Sequence, residues 1–354
     1  MPHRVLLTGA NGFIAQHILA QFLEAGHSVR AVVRSQSSAD QLKATFAAYP
    51  SSQLDFALVP DIAAPGAFDT ALVSDPPFDL VLHTASPFNF RAGKSNKDFI
   101  DPAVKGTTEI LHGVLRKGKS VKRVVITSSM AAVIDGAAPP VTSPPKIYSE
   151  KDWFKISRHE AETTDNPVIP YVSSKMFAEK AAWEFLVEKQ PPFDIATINP
   201  PMVYGPMHDA SYLKAPAELN QSNFNLYSFF LGPGLTETSA VPPEQLHLYV
   251  DVRDVARAHL LAATKPAAGG NRFVVSPGGI SHQQVANYFR EALPELAGRI
   301  PKGDPEKTAL PEGIFGVDSS SAKRLLGLEY TDEKKTFTDI AKQFYEIEKR
   351  ATAA

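Results

Sequence analysis

The 354-residue chain contains no cysteine. A chain without cysteine forms no disulfide bridge and has neither a thiolate nucleophile nor a cysteine-based zinc site. This composition suits a reducing compartment, so we expect the protein in the cytoplasm. A metal site is not expected either, because the ten histidines show no paired spacing of the H-E-x-x-H kind.

An excess of charge and long apolar runs are also missing. The chain has 36 basic and 38 acidic residues and a formal net charge of -2. Nucleic acids and anionic membrane surfaces normally require a basic excess, so neither is an expected partner. No run approaches the ~18 apolar residues of a membrane span, and the N-terminus lacks the apolar core of a signal peptide. We expect a small-molecule substrate and a monomer or homodimer.

Short apolar segments alternate with helical patterns over the first 200 residues. Near-continuous apolar character is typical of strands that are covered on both faces of a sheet. The β-α-β alternation predicts an α/β fold with a doubly wound parallel Rossmann sheet. Between the first two strands, residues 12–25 are a predicted helix with Asn11 as its cap and Gly26 at its end. The predicted strands are residues 4–8, 29–33, 54–59, 80–83, 123–127 and 195–198.

After Pro200 the pattern becomes less regular, and Pro and Gly are frequent. Residues 248–263 are the exception. They look like a strand that returns to the sheet, followed by a helix with Asp251 as its cap. The expected units are a nucleotide-binding Rossmann domain over residues 1–200, with 246–265 returning to it, and a smaller C-terminal substrate-binding lobe formed by 201–245 and 266–354.

The stretch TGANGFIA, residues 8–15, follows the first predicted strand. A dinucleotide pyrophosphate needs backbone N–H groups at a helix N-terminus, with no side chain in the way. Gly9 permits the sharp turn at the strand end, Gly12 permits the close approach of phosphate, and Ala15 lets the helix pack on the strand. This context favours a dinucleotide site over a plain glycine turn. The predicted cofactor contacts here are Gly9, Asn11, Gly12, Phe13 and Ile14.

The end of the second strand favours NADPH/NADP+ over NAD(H). An NAD site usually places Asp or Glu about 20 residues beyond the glycines, on the ribose hydroxyls. Residues 30–35 contain no carboxylate, whereas Arg34 offers a guanidinium that suits a 2′-phosphate in charge and geometry. The alternative is a solvent-facing arginine at a strand end. Asp61 and Ile62 are predicted to flank the adenine, although a loop cap explains Asp61 almost equally well.

Tyr171 and Lys175 form a Tyr-x-x-x-Lys pair, whose two side chains share one helix face. A neighbouring ammonium stabilises a phenolate and moves the tyrosine pKa from ~10 toward the working range. The pair alone is a weak signal, because it also occurs by chance. Residues 127–129 strengthen it, since ligands of open α/β sheets bind at the carboxyl ends of the strands. We expect Ser129 to polarise a carbonyl and Ser128 to bond to backbone.

The fourth strand ends in HTASP, residues 83–87. Small residues there permit the close approach of a cofactor, so Thr84, Ala85 and Ser86 are predicted cofactor contacts. His83 could serve as a base, but its place inside the strand pattern favours a packing histidine. A Ser-His-acid hydrolase is a formal alternative, for which the chain lacks the G-x-S-x-G elbow.

Taken together, these motifs resemble the extended short-chain dehydrogenases/reductases. TGANGFIA, HTASP, ITSS, YVSSK, NPPMVYGP and YVDVRDVARAH occur in the order and spacing of that family, over essentially the whole chain. Within it the chain is similar to fungal NADPH-dependent reductases of aldehydes and ketones, such as methylglyoxal and isovaleraldehyde. More distantly it resembles dihydroflavonol and cinnamoyl-CoA reductases.

The resemblance implies an NADPH-dependent carbonyl reductase that converts aldehydes, ketones or diketones to alcohols, with Ser129, Tyr171 and Lys175 as the catalytic triad. It also implies that Asn199, Pro200 and Pro201 form a wall beside the nicotinamide. Nucleotide-sugar epimerases or dehydratases share this core and are the alternative among enzymes. A non-catalytic NADP-binding regulator is the alternative outside enzymes.

The resemblance further implies a substrate pocket, formed by Phe88, Met130, Met202 and Tyr204. Met130 and Met202 stand where a yeast relative has tyrosines, which suggests a more apolar and more adaptable pocket. Ser38 stands where the yeast reductases have a lysine, four positions after the phosphate-binding arginine. This departure weakens the expected clamp on the 2′-phosphate.

Overall fold

The computed structural model describes residues 2–86, 95–135, 138–243 and 246–353. The predicted strands appear within one residue of their expected bounds. The strands are β1 (Arg4–Thr8), β2 (Ser28–Val33), β3 (Leu54–Leu58), β4 (Leu80–His83), β5 (Arg123–Thr127), β6 (Ile147–Tyr148), β7 (Asp194–Asn199), β8 (Met202–Tyr204), β9 (Leu248–Asp251), β10 (Asn271–Val274), β11 (Gly278–Gly279) and β12 (Gly316–Val317). The α-helices are α1 (Phe13–Glu24), α2 (Gln36–Thr45), α3 (Lys97–Lys117), α4 (Arg158–Thr163), α5 (Ile169–Lys189), α6 (Gln221–Phe230), α7 (Val252–Thr264), α8 (His282–Ala292) and α9 (Glu333–Ala353).

Seven strands form one parallel sheet in the order β3-β2-β1-β4-β5-β7-β10. Val5, Leu6 and Leu7 are fully buried on successive faces of β1, because hydrophobic clusters cover both sides of the sheet. The doubly wound α/β sheet is therefore confirmed. The strand order reverses between β1 and β4, and their carboxyl ends open the crevice in which such sheets bind ligands.

The strand that returns to the central sheet is not the predicted one. Residues 248–251 form β9, which pairs with β8 and β11 in a separate three-stranded sheet. The central sheet instead gains β10. Both segments are short and apolar, so pattern alone does not distinguish the sheet that each joins. β10 brings residues 271–274 of the expected lobe into the Rossmann sheet, and the other domain boundaries stay a prediction.

Helix α7 follows β9 as expected, and the Asp251 carboxylate caps it by accepting a hydrogen bond from Arg253 N at 2.8 Å. Helix α1, by contrast, does not begin at the predicted cap. Its N-cap is Gly12, in extended conformation, and among the described side chains none caps it. The cap prediction for Asn11 is wrong, and the first N–H groups of α1 remain for another acceptor. Gly26, with φ +82°, ends the helix as predicted.

A further hydrophobic cluster brings together α6, α8, α9 and the end of β8. Phe230, Phe289, Phe337 and Phe344 are fully buried in it. This cluster gives the C-terminal part of the chain a core of its own beside the Rossmann sheet. In the described ranges, no helix combines the length and the apolar character that crossing a membrane requires.

Candidate active site

Gly9 and Gly12 form the turn between β1 and α1, and Gly12 N donates to Gly9 O at 2.9 Å. Gly9 has φ +66°, and a Cβ added there would lie 2.9 Å from Ala85 Cα. A Cβ at Gly12 would approach Gly9 O to 3.2 Å. The turn therefore presents bare backbone at the crevice, in front of a helix N-terminus that no described side chain caps. These residues fit a dinucleotide pyrophosphate.

The ends of β1 and β4 are joined through Thr8 and His83. Thr8 Oγ1 lies 2.9 Å from His83 Nδ1 and accepts a hydrogen bond from Ala85 N at 3.2 Å. Thr84 Oγ1 donates to Thr8 O at 2.6 Å. Burial, together with the charge of Lys175, lowers the pKa of His83 to about 3, so the ring is neutral near pH 7. His83 is thus a packing histidine that ties two strand ends together.

Arg34 is the first residue after β2 and is exposed. Ser35 caps α2, where its hydroxyl accepts a hydrogen bond from Ser38 N at 3.3 Å. The Ser35 hydroxyl also lies 3.0 Å from that of Ser37 and 3.1 Å from that of Ser38. One cation, three hydroxyls and a helix N-terminus therefore cluster at the carboxyl end of β2. This combination is complementary to a phosphate group.

Asp61 and Ile62 lie just beyond β3. Asp61 is exposed, and its Oδ1 accepts a hydrogen bond from Ala63 N at 2.9 Å, which is the loop-cap arrangement. Ile62 packs against the cluster that contains Phe68 and Val114. The expected contact of both residues with adenine stays a prediction.

Tyr171 lies in the first turn of α5, and Lys175 lies one turn further on. Lys175 Nζ donates to Ser86 Oγ at 3.2 Å, so the lysine reaches the end of β4. Burial lowers the pKa of Lys175 to about 8 and raises the pKa of Tyr171 to about 12. The predicted fall of the tyrosine pKa is therefore wrong for the protein alone, because burial disfavours the charged phenolate.

The two serines after β5 have different surroundings. Ser128 is buried, and its Oγ donates to Glu179 Oε2 at 2.5 Å. Ser129 is partly exposed at the start of a short 3-10 turn, where its Oγ accepts a hydrogen bond from Ala131 N at 3.1 Å. This bond uses a lone pair of Ser129 and not its proton. The arrangement supports Ser129 as the donor to a carbonyl. The Ser128 hydroxyl was expected to bond to backbone, but it bonds to the side chain of Glu179.

The expected substrate-side residues lie in hydrophobic clusters. Met130 is 2% exposed and packs with Tyr148 and Val274, and its N donates to Pro200 O at 2.9 Å. Met202 and Tyr204 lie on β8 against the C-terminal cluster. Phe88 lies outside the described residues. Contact of these side chains with a substrate, and of Pro200 with a nicotinamide, stays a prediction.

A cavity of about 20 Å³ is lined by Lys175, His83, Ser128 and Glu179, among other residues. Its volume suits a single water molecule. Glu179 was missed by sequence reasoning, although it continues the spacing of four that joins Tyr171 to Lys175. Asn199, expected beside a nicotinamide, is instead fully buried, and its amide bonds to Glu179.

The sheet topology, the bare-backbone turn at the β1–β4 crevice and the Tyr-Lys helix beside the β5 serines occur together in one class of proteins. That class is the extended short-chain dehydrogenases/reductases, in which a Rossmann sheet holds a dinucleotide at the point where the strand order reverses.

The chain belongs to the NAD dependent epimerase/dehydratase family, whose sequence pattern matches residues 5–276. The ketoreductase azaE of Aspergillus niger is 39% identical over 94% of each chain. The NADPH-dependent methylglyoxal reductase GRE2 of Saccharomyces cerevisiae is 37% identical over 98% of this chain and 99% of that one. The crystal structure of yeast methylglyoxal/isovaleraldehyde reductase Gre2 complexed with NADPH is 36% identical, with a TM-score of 0.88 over 98% of this chain and 99% of that one.

Proposed function

We propose that the protein is an NADPH-dependent carbonyl reductase that converts a small aldehyde, ketone or diketone to an alcohol. The observation that carries this proposal is the packing of α5, the helix that bears Tyr171 and Lys175, against the short 3-10 turn that Ser129 caps. Full-length similarity to a ketoreductase and to methylglyoxal reductases supports it. A cytoplasmic location and assembly as a monomer or homodimer remain predictions of the sequence.

The residues around the crevice suit NADPH in two places. The turn at Gly9 and Gly12, with the N–H groups of Phe13 and Ile14, would hold the pyrophosphate. Arg34, with the serine hydroxyls at the start of α2, would hold the 2′-phosphate. When bound, NADPH supplies a hydride that reduces the carbonyl carbon.

Side chains of this chain then bind and protonate the carbonyl oxygen. Ser129 donates a hydrogen bond that orients and polarises the carbonyl. Tyr171, whose pKa is raised to about 12, is protonated near pH 7 and delivers its proton to the oxygen. Lys175, with its pKa lowered to about 8, remains largely protonated at pH 7 and stabilises the phenolate that Tyr171 leaves behind. The same ammonium would hold the nicotinamide ribose.

The proposal is tested by following NADPH consumption with a panel of aldehydes, α-diketones and aryl ketones. NADH is run in parallel, and the chirality of each product is recorded. We expect net oxidation of NADPH by at least one simple carbonyl compound, with weaker turnover of NADH. A chain that binds NADPH and reduces none of these compounds would contradict the proposal.

The family description favours one further candidate, a nucleotide-sugar epimerase or dehydratase. Such enzymes keep a nicotinamide cofactor bound and regenerate it in each turnover, so there is no net oxidation of the cofactor. Stoichiometric conversion of NADPH with a simple ketone, in the absence of any sugar nucleotide, separates the two. The same measurement separates a reductase from a non-catalytic NADP-binding regulator, against which retention of Tyr171 and Lys175 already argues.

A further inference from the structure

A buried carboxylate lies one helical turn beyond the catalytic lysine. Tyr171, Lys175 and Glu179 follow each other at intervals of four, so their side chains share one face of α5. Glu179 is 2% exposed, and its carboxylate faces the ends of β5 and β7. The helix that bears the proton donor is therefore bonded to the sheet at this point.

Four side chains donate to the Glu179 carboxylate at 3.0 Å or less. Oε2 accepts from Ser128 Oγ at 2.5 Å and from Asn199 Nδ2 at 2.7 Å. Oε1 accepts from Thr197 Oγ1 at 3.0 Å and from Arg272 Nε at 2.6 Å. A buried carboxylate requires such a set of donors, since an unpaired buried charge is strongly destabilising.

Two of these donors also hold the turn that carries Ser129. Ser128 is its chain neighbour, and the Asn199 amide that donates to Glu179 donates to Ser129 O as well, at 3.2 Å. Glu179 is therefore connected to Ser129 from both sides, through a side chain before it and through its own carbonyl. The position of this carboxylate and the position of Ser129 are therefore linked through two hydrogen-bonded residues.

Arg272, on β10, bonds the other carboxylate oxygen, Oε1, and is itself held in place. Its guanidinium lies 3.6 Å from the centre of the Trp153 ring, and its Nη1 donates to Glu150 O at 2.6 Å and to Asp152 O at 2.7 Å. Both charges are thus held by several contacts, which is the condition under which a buried ion pair defines one geometry. Glu179 is a fixed reference point between helix and sheet.

We propose that Glu179 is a positioning residue, whose carboxylate sets the place of the Ser129 hydroxyl relative to Tyr171 and Lys175 during proton delivery. This role rests on the proposed carbonyl reductase function. The competing account is that Glu179 contributes to folding stability alone, with no effect on the chemical step.

Glu179→Gln is the sharpest single test, because glutamine keeps the shape but replaces one acceptor with an NH₂ group. That group must face either the Asn199 amide or the Arg272 guanidinium, so one donor loses its acceptor. We expect kcat for carbonyl reduction to fall on the order of 10- to 100-fold, as a misplaced catalytic group produces. The Kd of NADPH should change less than about twofold, since the pyrophosphate turn lies on other strands.

Glu184→Gln is the matched control, since it makes the same change on the exposed side of α5 and should leave kcat unchanged. Ser128→Ala removes one donor and leaves the pair with Arg272 intact, so it serves if Glu179→Gln does not fold. It should lower kcat by about 3- to 10-fold, a loss of roughly one hydrogen bond. In the double variant the two losses should combine to less than their product, because both act through one carboxylate.

The outcomes separate this role from the function on which it rests. A Glu179→Gln protein with a lower melting temperature and a kcat within twofold of the wild type overturns the positioning role alone. So does an unchanged kcat in Ser128→Ala when Glu179→Gln does not fold. A folded wild-type chain that binds NADPH but reduces no carbonyl compound overturns the reductase function, and the positioning role falls with it.

Discussion

The two halves of the crevice are built from different parts of the polypeptide. On the β1 side the surface is backbone, at Gly9, Gly12 and the start of α1. On the β5 side it is a network of side chains, centred on the face of α5 that carries Lys175 and Glu179. Geometry on the first side is set by one local turn, whereas geometry on the second depends on residues from several strands. Mutations on the β1 side should therefore weaken cofactor binding by steric exclusion. Mutations on the β5 side should instead slow the chemical step.

The largest effect on NADPH binding is expected for Gly9→Ala. The added Cβ would approach Ala85 Cα to 2.9 Å in a backbone conformation with φ +66°, so the turn must deform. Loss of the bare backbone should weaken NADPH binding by about 100-fold or more, comparable to the loss of one or two charge-assisted hydrogen bonds. Fluorescence titration of NADPH measures this change.

Gly26→Ala is the control for backbone strain. Gly26 also has a positive φ, of +82°, but no described atom lies within 4 Å of a Cβ added there. It should lower stability by about 1–2 kcal/mol, the left-handed strain alone, and leave NADPH affinity unchanged. Equal losses of NADPH affinity in the two variants would contradict the steric account of the glycine turn.

A smaller change in NADPH affinity is expected for Arg34→Ala, which leaves the glycine turn intact and removes the positive charge at the end of β2. NADPH affinity should fall about 10- to 100-fold, the equivalent of 1.5–3 kcal/mol for hydrogen bonds to a charged group. NADH affinity should stay the same, because NADH lacks the 2′-phosphate. Lys43→Ala, which removes an exposed cation from the last turn of α2, away from the expected phosphate site, is the control. An equal loss of NADH affinity would show that Arg34 does not bind the 2′-phosphate.

The smallest of these effects concerns the side-chain half alone and is a pH dependence. Because the pKa of Lys175 is lowered from its usual range to about 8, the lysine is charged below that pH and neutral above it. kcat/KM for reduction, which reports the pKa values of the free enzyme, should therefore fall as pH rises through about 8, by up to about tenfold per unit. His83, with its pKa lowered to about 3, adds no titration near neutrality. Lys175→Met should be slow at every pH and lack this falling limb.

The same contrast explains what local sequence could predict. The central strands and α1 were predicted because buried parallel strands are runs of apolar residues, and the glycine turn lies within eight consecutive residues. The Asn11 cap was wrong, since the close turn at Gly9 and Gly12 starts the helix one residue later. β10 was missed, because it is four residues long inside a Pro- and Gly-rich region.

The side-chain half was only partly predictable. Tyr171 and Lys175 are neighbours in sequence, whereas Arg272 meets Glu179 across 93 residues. No local sequence pattern indicates that β10 lies next to α5. The ion pair between Arg272 and Glu179 is therefore visible only in the folded chain. The raised pKa of Tyr171 has the same origin, because burial is a property of the whole fold.

The comparison of Tyr171→Phe with the wild type tests most directly whether cofactor binding and proton delivery depend on separate halves of the crevice. Phenylalanine keeps the ring and removes the proton that Tyr171 would deliver. We predict that kcat for carbonyl reduction falls by about 10³-fold or more, as loss of a general acid implies, while the Kd of NADPH stays within about threefold. Tyr345→Phe on α9 should change neither quantity. Equal losses of turnover and NADPH binding in Tyr171→Phe would contradict the assignment of Tyr171 as the proton donor.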